Sequence, residues 1–327
     1  MATYKGIHGT KIQNYTSDPA NSLTGQVWYN ATTQTLKVDA GTLAGAWSTG
    51  GSLNTARGYL GGTGIQTAAL AIGNGYPGQG SEVESYNGTN WTAVNGLNTA
   101  GGGLGAGGTT TSALAFGGQR GSPPGGFVEL WNGTNWTEVN NLNTARGYLT
   151  GCGASNTNAL AFGGGYPGQA DGAITEKWNG TNWTEVGDLN TGRQQLAGCG
   201  VNTAALAIGG NSPTAGVAYQ DVVESWNGTN WTEVADLNTG RQALAASTNG
   251  TPTSALAFGG GTPSNVALTE SYNGTNWTEV ADMAVAKKRL GGAGASNTSA
   301  LAFGGSPDTA ATEEFSFSGG IQTIDTD

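Results

Sequence analysis

The residue types that perform most enzyme chemistry are scarce in this chain. It has one histidine, His8, and two cysteines, Cys152 and Cys199. Zinc sites need clustered cysteine, histidine or carboxylate ligands, and the sequence shows no such spacing. We expect His8 to be a solvated terminal residue. We therefore expect neither a metal nor a cofactor.

The two cysteines occupy matching sites of consecutive repeats, in LTGCGASNTNAL and LAGCGVNTAAL. Two cysteines are too few for a disulfide framework. Each is best interpreted as a small, buried apolar side chain. The alternative is a disulfide or a metal shared between the two repeats.

Charged residues recur in step with each other. A cation occupies one position of the motif LNTAR or its variants, and Gly101 replaces it in the second repeat; these cations are Arg57, Arg146, Arg193, Arg241 and Lys287. A glutamate recurs further along each repeat, at Glu84, Glu129, Glu176, Glu224 and Glu270. A ring of cations at one mouth of a channel would bind an anion or a sugar acid. The alternative, ion pairs with the glutamates, is favoured because the two sets match in number and period.

Two motifs define the repeat. The segment ALAFGG or a close variant occurs six times, beginning at Ala69, Ala113, Ala159, Ala205, Ala255 and Ala300. An aromatic residue followed by NGTNWT occurs five times, beginning at Tyr86, Trp131, Trp178, Trp226 and Tyr272. Internal repeats of this length are typical of solenoids and propellers.

The missing sixth NGTNW predicts how the repeats close. Trp47 precedes LNTAR near the start of the chain, as NWTEV precedes it elsewhere, and residues 312–317 end the last repeat without an NGTNW. We therefore predict that the strand around Trp47 completes the last repeat. Six equivalent tryptophans should then pack between neighbouring repeats, namely Trp47, Trp91, Trp136, Trp183, Trp231 and Trp277.

The residue pattern of each repeat predicts four short strands. In the third repeat these are predicted over residues 147–154, 159–163, 173–178 and 182–186, with Asn-Gly at a two-residue turn between the last two. Glycines beside the first two strands suit positions where strands crowd together. The predicted fold is all-β, a six-bladed β-propeller with a small N-terminal hairpin segment.

The repeat resembles the kelch repeat of galactose-oxidase-type propellers, through LAFGG, then EKWNG, then NWTEV. This resemblance covers roughly residues 47–317 and implies four antiparallel strands per blade. It implies no copper oxidase, because that activity needs imidazole ligands and His8 lies outside the repeats. NGTNWT also echoes a turn of six-bladed sialidases, but the aspartate of that turn is absent from every copy.

We expect three segments: an attachment segment over residues 1–45, the propeller over 46–320 and a tail over 321–327. Within the first, residues 25–30 and 35–39 alternate like a hairpin. The segment WYNATTQTLKV resembles the N-terminal parts of structural proteins of tailed phages, especially marine ones. That resemblance implies attachment to other virion proteins through residues 1–45.

Composition excludes several partners. The formal net charge is −10, so phosphate backbones and anionic membranes are unfavourable partners. The N-terminus lacks the apolar run of a signal peptide, and no segment is apolar enough to span a membrane. We expect synthesis in a host cytoplasm, a place on the virion surface, and neither nucleic-acid binding nor membrane insertion. Homo-oligomer formation stays open.

Diverse loops connect the second and third strands of the repeats, on the face that also carries the cations. Variable loops on a rigid scaffold commonly bind ligands. The candidate residues there are Tyr76, Arg120, Tyr166 and Tyr219. We predict a non-catalytic phage surface protein, such as a tail fibre, an appendage or a capsid decoration, that binds a host glycan or another virion protein. An enzyme that degrades envelope glycans and a purely structural spacer are the alternatives.

Overall fold

Four-stranded antiparallel sheets recur along the chain in the computed structural model. The structure describes residues 12–19, 26–39, 45–75, 78–119, 125–165, 172–212, 216–307, 309–316 and 321–324. These residues form strands, turns and bends, with no helix among them. None of the described segments could therefore cross a membrane as an apolar helix. The chain divides into two compact units, residues 46–316 and residues 1–45 with 317–327.

The larger unit contains six four-stranded sheets within its described residues. We number them 1 to 6 and call their strands a to d. Sheets 1 and 2 consist of Gly61–Ile65, Ala68–Asn74, Gly80–Tyr86 and Trp91–Val94, then Gly105–Thr109, Ser112–Phe116, Val128–Trp131 and Trp136–Val139. Sheets 3 and 4 consist of Thr150–Ser155, Asn158–Phe162, Thr175–Trp178 and Trp183–Glu185, then Ala197–Val201, Ala204–Ser212, Val217–Trp226 and Trp231–Glu233. Sheets 5 and 6 consist of Ala245–Ala246, Ala255–Phe258, Thr269–Tyr272 and Trp277–Glu279, then Gly291–Ser296, Ser299–Phe303, Thr312–Ser316 and Ala46–Thr49.

Sheet 6 takes its last strand from the other end of the chain. Strand Ala46–Thr49 pairs antiparallel with Thr312–Ser316, with Trp47 opposite Phe315. This is the pairing that the missing sixth NGTNW predicts. A separate two-stranded ribbon, Gly261–Thr262 with Ser264–Asn265, extends from sheet 5. The repeated sheets are consistent with a β-propeller.

Strand b is buried on both faces because each sheet packs between two others. In sheet 1, Leu70 and Ile72 belong to a core shared with Ala113 and Ala115 of sheet 2. The alternate residue Ala71 belongs to a different core, shared with sheet 6. Successive side chains of a strand point to opposite faces. The ALAF pattern therefore sets large side chains of one sheet against alanines of the next.

Glycines in strand a allow neighbouring sheets to approach closely. A Cβ added to Gly62 would lie 2.3 Å from the carbonyl oxygen of Gly292 in sheet 6. One added to Gly107 would lie 2.7 Å from backbone atoms of sheet 3. No side chain fits at such separations. The predicted crowding beside strand a is therefore observed.

The NGTN turn differs in detail from the sequence prediction. Trp178 and Trp183 face each other across strands c and d, so the connection is the whole NGTN segment. The Oδ1 of Asn179 accepts from the backbone N–H groups of Thr181 and Asn182, at 2.9 and 2.8 Å. Gly180 has φ of 94°. The two central residues are therefore Gly-Thr, while the asparagine caps the turn as an Asx acceptor.

The smaller unit is built around one mixed sheet. Its strands, in order across the sheet, are Gln13–Tyr15, Val27–Asn30, Thr35–Asp39 and Ile321–Ile324. The middle two form the predicted hairpin. The first strand is parallel to the second, and the last comes from the segment that the sequence analysis treated as a tail.

Asp18 accepts hydrogen bonds from two described side chains of the smaller unit. Trp28, which is fully buried, donates its indole N–H to Asp18 Oδ1 at 3.0 Å, and Asn30 donates to the same oxygen at 2.8 Å. These hydrogen bonds, that of Asn30 first, lower the pKa of Asp18. Gln13–Tyr15 precedes and Val27–Asn30 follows this aspartate, so Asp18 ties the connection between them to the sheet.

Candidate functional site

The repeated cations lie in buried ion pairs. Arg146 Nη1 lies 2.5 Å from Glu176 Oε1, and both side chains are at most 3% exposed. The equivalent pairs are Arg57 with Glu84, Arg193 with Glu224, Arg241 with Glu270, and Lys287 with Glu313. Each pair joins the connector that leads into a sheet to strand c of that sheet. These cations were candidate ligand-binding residues, and the structure instead shows the ion pairs with glutamates that the sequence favoured.

The asparagine of LNTAR completes this network. Asn190 donates from its backbone N–H and its side chain to Glu224 Oε2, at 2.7 and 2.8 Å. Its side chain also donates to the carbonyl of Trp231 at 3.1 Å. The carboxylate thus receives a guanidinium on one oxygen and an asparagine on the other. A buried ion pair is tolerated only with such additional hydrogen bonds.

Burial perturbs the cations. Desolvation lowers the pKa of Arg193, and Glu224 opposes that shift through its hydrogen bond and its charge. The Arg193 side chain also donates to the carbonyls of Gly209, Thr191 and Ala207, at 2.9, 2.8 and 3.0 Å. Its donors are thus directed at the protein. These cations therefore hold the scaffold together and offer no free charge to a ligand.

The predicted tryptophans pack between neighbouring sheets. Trp183 of sheet 3 lies edge-on to Phe116 of sheet 2, with ring centroids 5.3 Å apart, and Trp231 of sheet 4 lies 4.9 Å from Phe162 of sheet 3. Trp91, Trp136, Trp183, Trp231 and Trp277 are 5–6% exposed. Trp47 differs because it is only partly buried, although it too contacts its neighbour, sheet 5, through Phe258.

Another residue, two positions after the cation, varies among the repeats. We call the set of these residues the inner ring; it consists of Tyr59, Gly103, Tyr148, Gln195, Ala243 and Arg289. Every member has a positive φ, between 53° and 62°. This left-handed conformation costs an L-residue roughly 1–2 kcal/mol. Only Gly103 adopts it without that cost.

A cycle of backbone hydrogen bonds imposes the conformation. Each inner-ring N–H donates to the carbonyl of the member before it in the ring, at 2.7–2.9 Å. Gly103 thus donates to Tyr59, and Tyr59 donates to Arg289, the last member in chain order. The six bonds therefore form a closed cycle. It satisfies the backbone amides of the ring and leaves only side chains to contact a ligand.

The inner ring surrounds the mouth of a central pocket. The pocket is an open depression with about 670 Å³ of space, which includes solvent above the mouth, and it is lined by residues from all six repeats. Small residues of the strands a form its walls, for example Gly62, Ala106, Gly151 and Ala246.

The fifth repeat supplies the floor of the pocket. Its strand a has only two residues because the chain turns inward after Ala246. The side chain of Asn249 donates to the carbonyl of Gly108, three repeats away, at 3.3 Å, and its N–H donates to Gly294 at 2.8 Å. Thr248, which lines the pocket, accepts from Gly200 at 3.1 Å. We call Thr248 and Asn249 the floor segment, since they cross the centre at the end of strand a that is remote from the inner ring.

The inner ring has an aromatic and a small side. Tyr59 and Tyr148 meet over Gly103, with ring centroids 5.4 Å apart, and the Arg289 guanidinium lies 4.4 Å over the Tyr59 ring. On the opposite side stand Gln195 and Ala243. Burial raises the pKa of Tyr59 to about 12, while Arg289 acts in the other direction. Tyr59 is therefore a neutral phenol near neutral pH, and Arg289 carries the local charge.

The other residues predicted to bind a ligand give a mixed outcome. Tyr76, Arg120 and Tyr166 lie outside the described residues, as does His8. Tyr219 lies partly exposed in strand c of sheet 4 and is not among the described residues that line the pocket.

The cysteines and the acidic groups form no further site among the described residues. Cys152 and Cys199 are free and buried, and burial raises the pKa of Cys199 to about 12. No cluster of histidine, cysteine or carboxylate residues in the described ranges could hold a metal ion. The disulfide that was left open for the cysteines is not formed.

The inner ring was not predicted, although a signal for it is present in the sequence. Between a recurring cation and an invariant leucine, the repeats read RGYL, GGGL, RGYL, RQQL, RQAL and KKRL. The third letter of each is the inner-ring residue. It takes five residue types in six repeats, whereas the leucine after it is constant and the residue before it is only glycine, glutamine or lysine; that greater variation marks the site.

Comparison with known proteins adds no assignment, since no protein-family model matches the sequence and no curated protein matches it either.

Proposed function

We propose that residues 46–316 form a closed, six-bladed, kelch-like β-propeller. Three observations support this proposal. Sheet 6 combines strands from both ends of the unit. Apolar cores join each pair of consecutive sheets, and one core joins sheet 6 to sheet 1. The six inner-ring hydrogen bonds return to their starting residue. Sharing a sheet between the two ends leaves no long sheet edge exposed.

We propose further that the protein is a binding protein that holds a saccharide in the central pocket. The observation that carries this proposal is the inner ring, where nearly identical repeats diverge and present tyrosine, glutamine and arginine at one mouth. A protein partner needs a larger contact, about 800 Å² on each side. A concave mouth lined by a few polar and aromatic side chains suits a small group such as the end of a glycan.

The proposed activity is non-catalytic. Glycoside hydrolysis generally requires two carboxylates that flank the bond to be cleaved. The described residues that line the pocket include no carboxylate, and the repeated glutamates are held by the connectors. Binding without turnover is the function that this chemistry supports.

A glycan array probed with the full-length protein tests the binding function. We expect retention of a subset of glycans and no release of reducing ends from them. Release of reducing ends would establish the glycan-degrading alternative. Retention of no glycan would establish the spacer alternative. A Tyr59→Ala/Tyr148→Ala variant should lose the retained glycans while remaining folded, with its unfolding midpoint only slightly below that of the wild type.

We propose that the protein acts on a phage virion, attached through the smaller unit. The support is the resemblance of residues 28–38 to phage structural proteins and the small size of that unit, since small sheets gain stability from partners. Because Ile321–Ile324 pairs with Thr35–Asp39, both terminal segments should be removed together. A chain of residues 46–316 should fold but be absent from purified virions that incorporate the full chain. Its normal incorporation would refute the attachment role.

A further inference from the structure

Arg289 differs from the other repeat cations in having no carboxylate partner among the described residues. The five scaffold cations each lie against a glutamate, whereas Arg289 is partly exposed at the pocket mouth. It is the single charged residue among the described residues that line the pocket. A guanidinium presents a planar fork of donors that matches a carboxylate.

The rest of the chain makes this positive charge distinctive. The protein carries a formal net charge of −10, and the described part of the pocket lining contains no acidic side chain. An anion that entered the mouth would therefore meet a cation with no competing carboxylate of the lining. Desolvated charge pairs of this kind contribute more than exposed pairs do.

Next to Arg289, the tyrosines supply a flat apolar surface. The Tyr59 and Tyr148 rings are tilted by 50° to each other, and both are partly exposed in the mouth. A Cβ on Gly103 would lie 3.0 Å from Tyr148, so the glycine makes room for this pair. An aromatic face packs against the C–H face of a pyranose ring. The Arg289 guanidinium stacks over the Tyr59 ring, 4.4 Å from its centroid, so a carboxylate on Arg289 would bring the pyranose ring that carries it close to the tyrosine pair.

Gln195 and Ala243 complete the mouth on the other side. The glutamine amide provides both donors and an acceptor for hydroxyl groups. Ala243 is small and leaves space in the mouth. The backbone N–H groups of the inner ring are not available to a ligand, because each donates to the carbonyl of another member. Selectivity must therefore come from a few side chains, of which Arg289 has the strongest preference.

We propose that the central pocket binds an acidic sugar residue at the end of a saccharide, with its carboxylate on Arg289 and its pyranose ring against Tyr59 and Tyr148. This inference rests on the proposed saccharide-binding function and names the ligand class of that site. Arg289 is then the residue that distinguishes acidic sugars from neutral ones.

Calorimetric titration of the full chain tests this assignment. The probes are the methyl glycosides of glucuronic, galacturonic and N-acetylneuraminic acids, and methyl glucoside and methyl galactoside as neutral counterparts. We expect at least one acid to bind about tenfold more tightly than the neutral sugars, the factor that one charged hydrogen bond supplies. Arg289→Gln should abolish that preference, and Arg289→Lys should retain part of it.

A matched control removes a cation elsewhere. Lys177→Gln deletes the same charge from strand c of sheet 3, outside the pocket lining, and should leave the preference intact. The inference is overturned if no acid binds, if neutral sugars bind equally well, or if the preference survives Arg289→Gln. Should the glycan array retain neutral glycans while these titrations fail, the binding function stands and only the ligand class is wrong. If the array and the titrations are both blank, the binding function itself is refuted.

Discussion

Two sets of residues, two positions apart in the same connectors, follow opposite rules. The scaffold cations, such as Arg146, are nearly constant, buried and ion-paired. The inner-ring residues, such as Tyr148, vary in type and face the pocket. The backbone of the second set is fixed by the hydrogen-bond cycle, so its side chains are free to differ.

This contrast separates stability from recognition. At Arg146 the side chain itself holds the fold, so five of the six repeats keep a cation at this position and Gly101 is the exception. At Tyr148 the backbone holds the fold, and the side chain is available for a ligand. In a repeat protein, identity among copies therefore marks the scaffold, and divergence within an otherwise constant segment marks the site. Four predictions test this contrast.

The largest effect is expected from breaking a scaffold ion pair. Glu176→Ala leaves the Arg146 charge buried without a partner and should lower the free energy of unfolding by about 3–5 kcal/mol. Adding Arg146→Met should restore much of that loss, because an apolar side chain needs no partner. Denaturant unfolding measures both variants. Tyr148→Ala is the matched inner-ring change and should lower stability far less. Equal losses at the two positions would contradict the distinction between scaffold cations and inner-ring residues.

The buried tryptophans should also contribute to the stability of the scaffold. Trp183→Ala removes a side chain that is 5% exposed and should cost about 3–5 kcal/mol. Trp47→Ala should cost less, because Trp47 is partly buried and lies in the strand that completes sheet 6. The same unfolding measurement compares the two. A loss under about 1 kcal/mol for Trp183 would contradict its role in the core.

The inner ring should show a gain instead of a loss. Ala243 has φ of 54°, so Ala243→Gly relieves the left-handed strain. After the added entropy of the unfolded glycine is subtracted, stability should rise by up to about 1 kcal/mol. Ala257→Gly, in strand b of the same sheet, is the control and should destabilise. Destabilisation by both changes would show that the ring conformation carries no strain.

The smallest expected effect is a pH dependence at the inner ring. The pKa of Tyr59 is raised from 10.0 to about 12, chiefly by burial. A raised folded-state pKa stabilises the fold below the unfolded value, and that contribution is lost as the pH rises through the folded value. The free energy of unfolding should therefore fall between about pH 10 and 12, and Tyr59→Phe should make that fall shallower. Part of the slope should remain, since the pKa of Tyr86 is also about 12. Identical slopes in the wild type and the variant would contradict the assignment.

Periodic signals made much of the architecture predictable. The copies of ALAFGG located strand b, NGTNW located the hairpin of strands c and d, and the lone Trp47 located the strand that pairs with Thr312–Ser316. Each of these elements repeats, or is conspicuous because it fails to repeat. The ion pairs were foreseen for the same reason, since their two members recur in step.

Non-periodic features could not be read in this way. Ile321–Ile324 pairs with Thr35–Asp39 across almost the whole chain, and no motif links the two segments. The positive φ at Gln195 or Arg289 has no local cause such as a glycine, because a tertiary hydrogen-bond cycle imposes it. The floor segment depends on how one longer turn, at Thr248 and Asn249, folds into the centre.

The floor segment has a consequence for the timing of binding. Asn249 reaches the opposite side of the unit, so the centre is obstructed at that end. A ligand in the pocket must leave by the mouth through which it entered. A group that covers the inner ring would then trap the ligand, and the residence time of the ligand would depend on how often this one mouth is open. The rates of binding and release would thereby be set by the same six inner-ring residues.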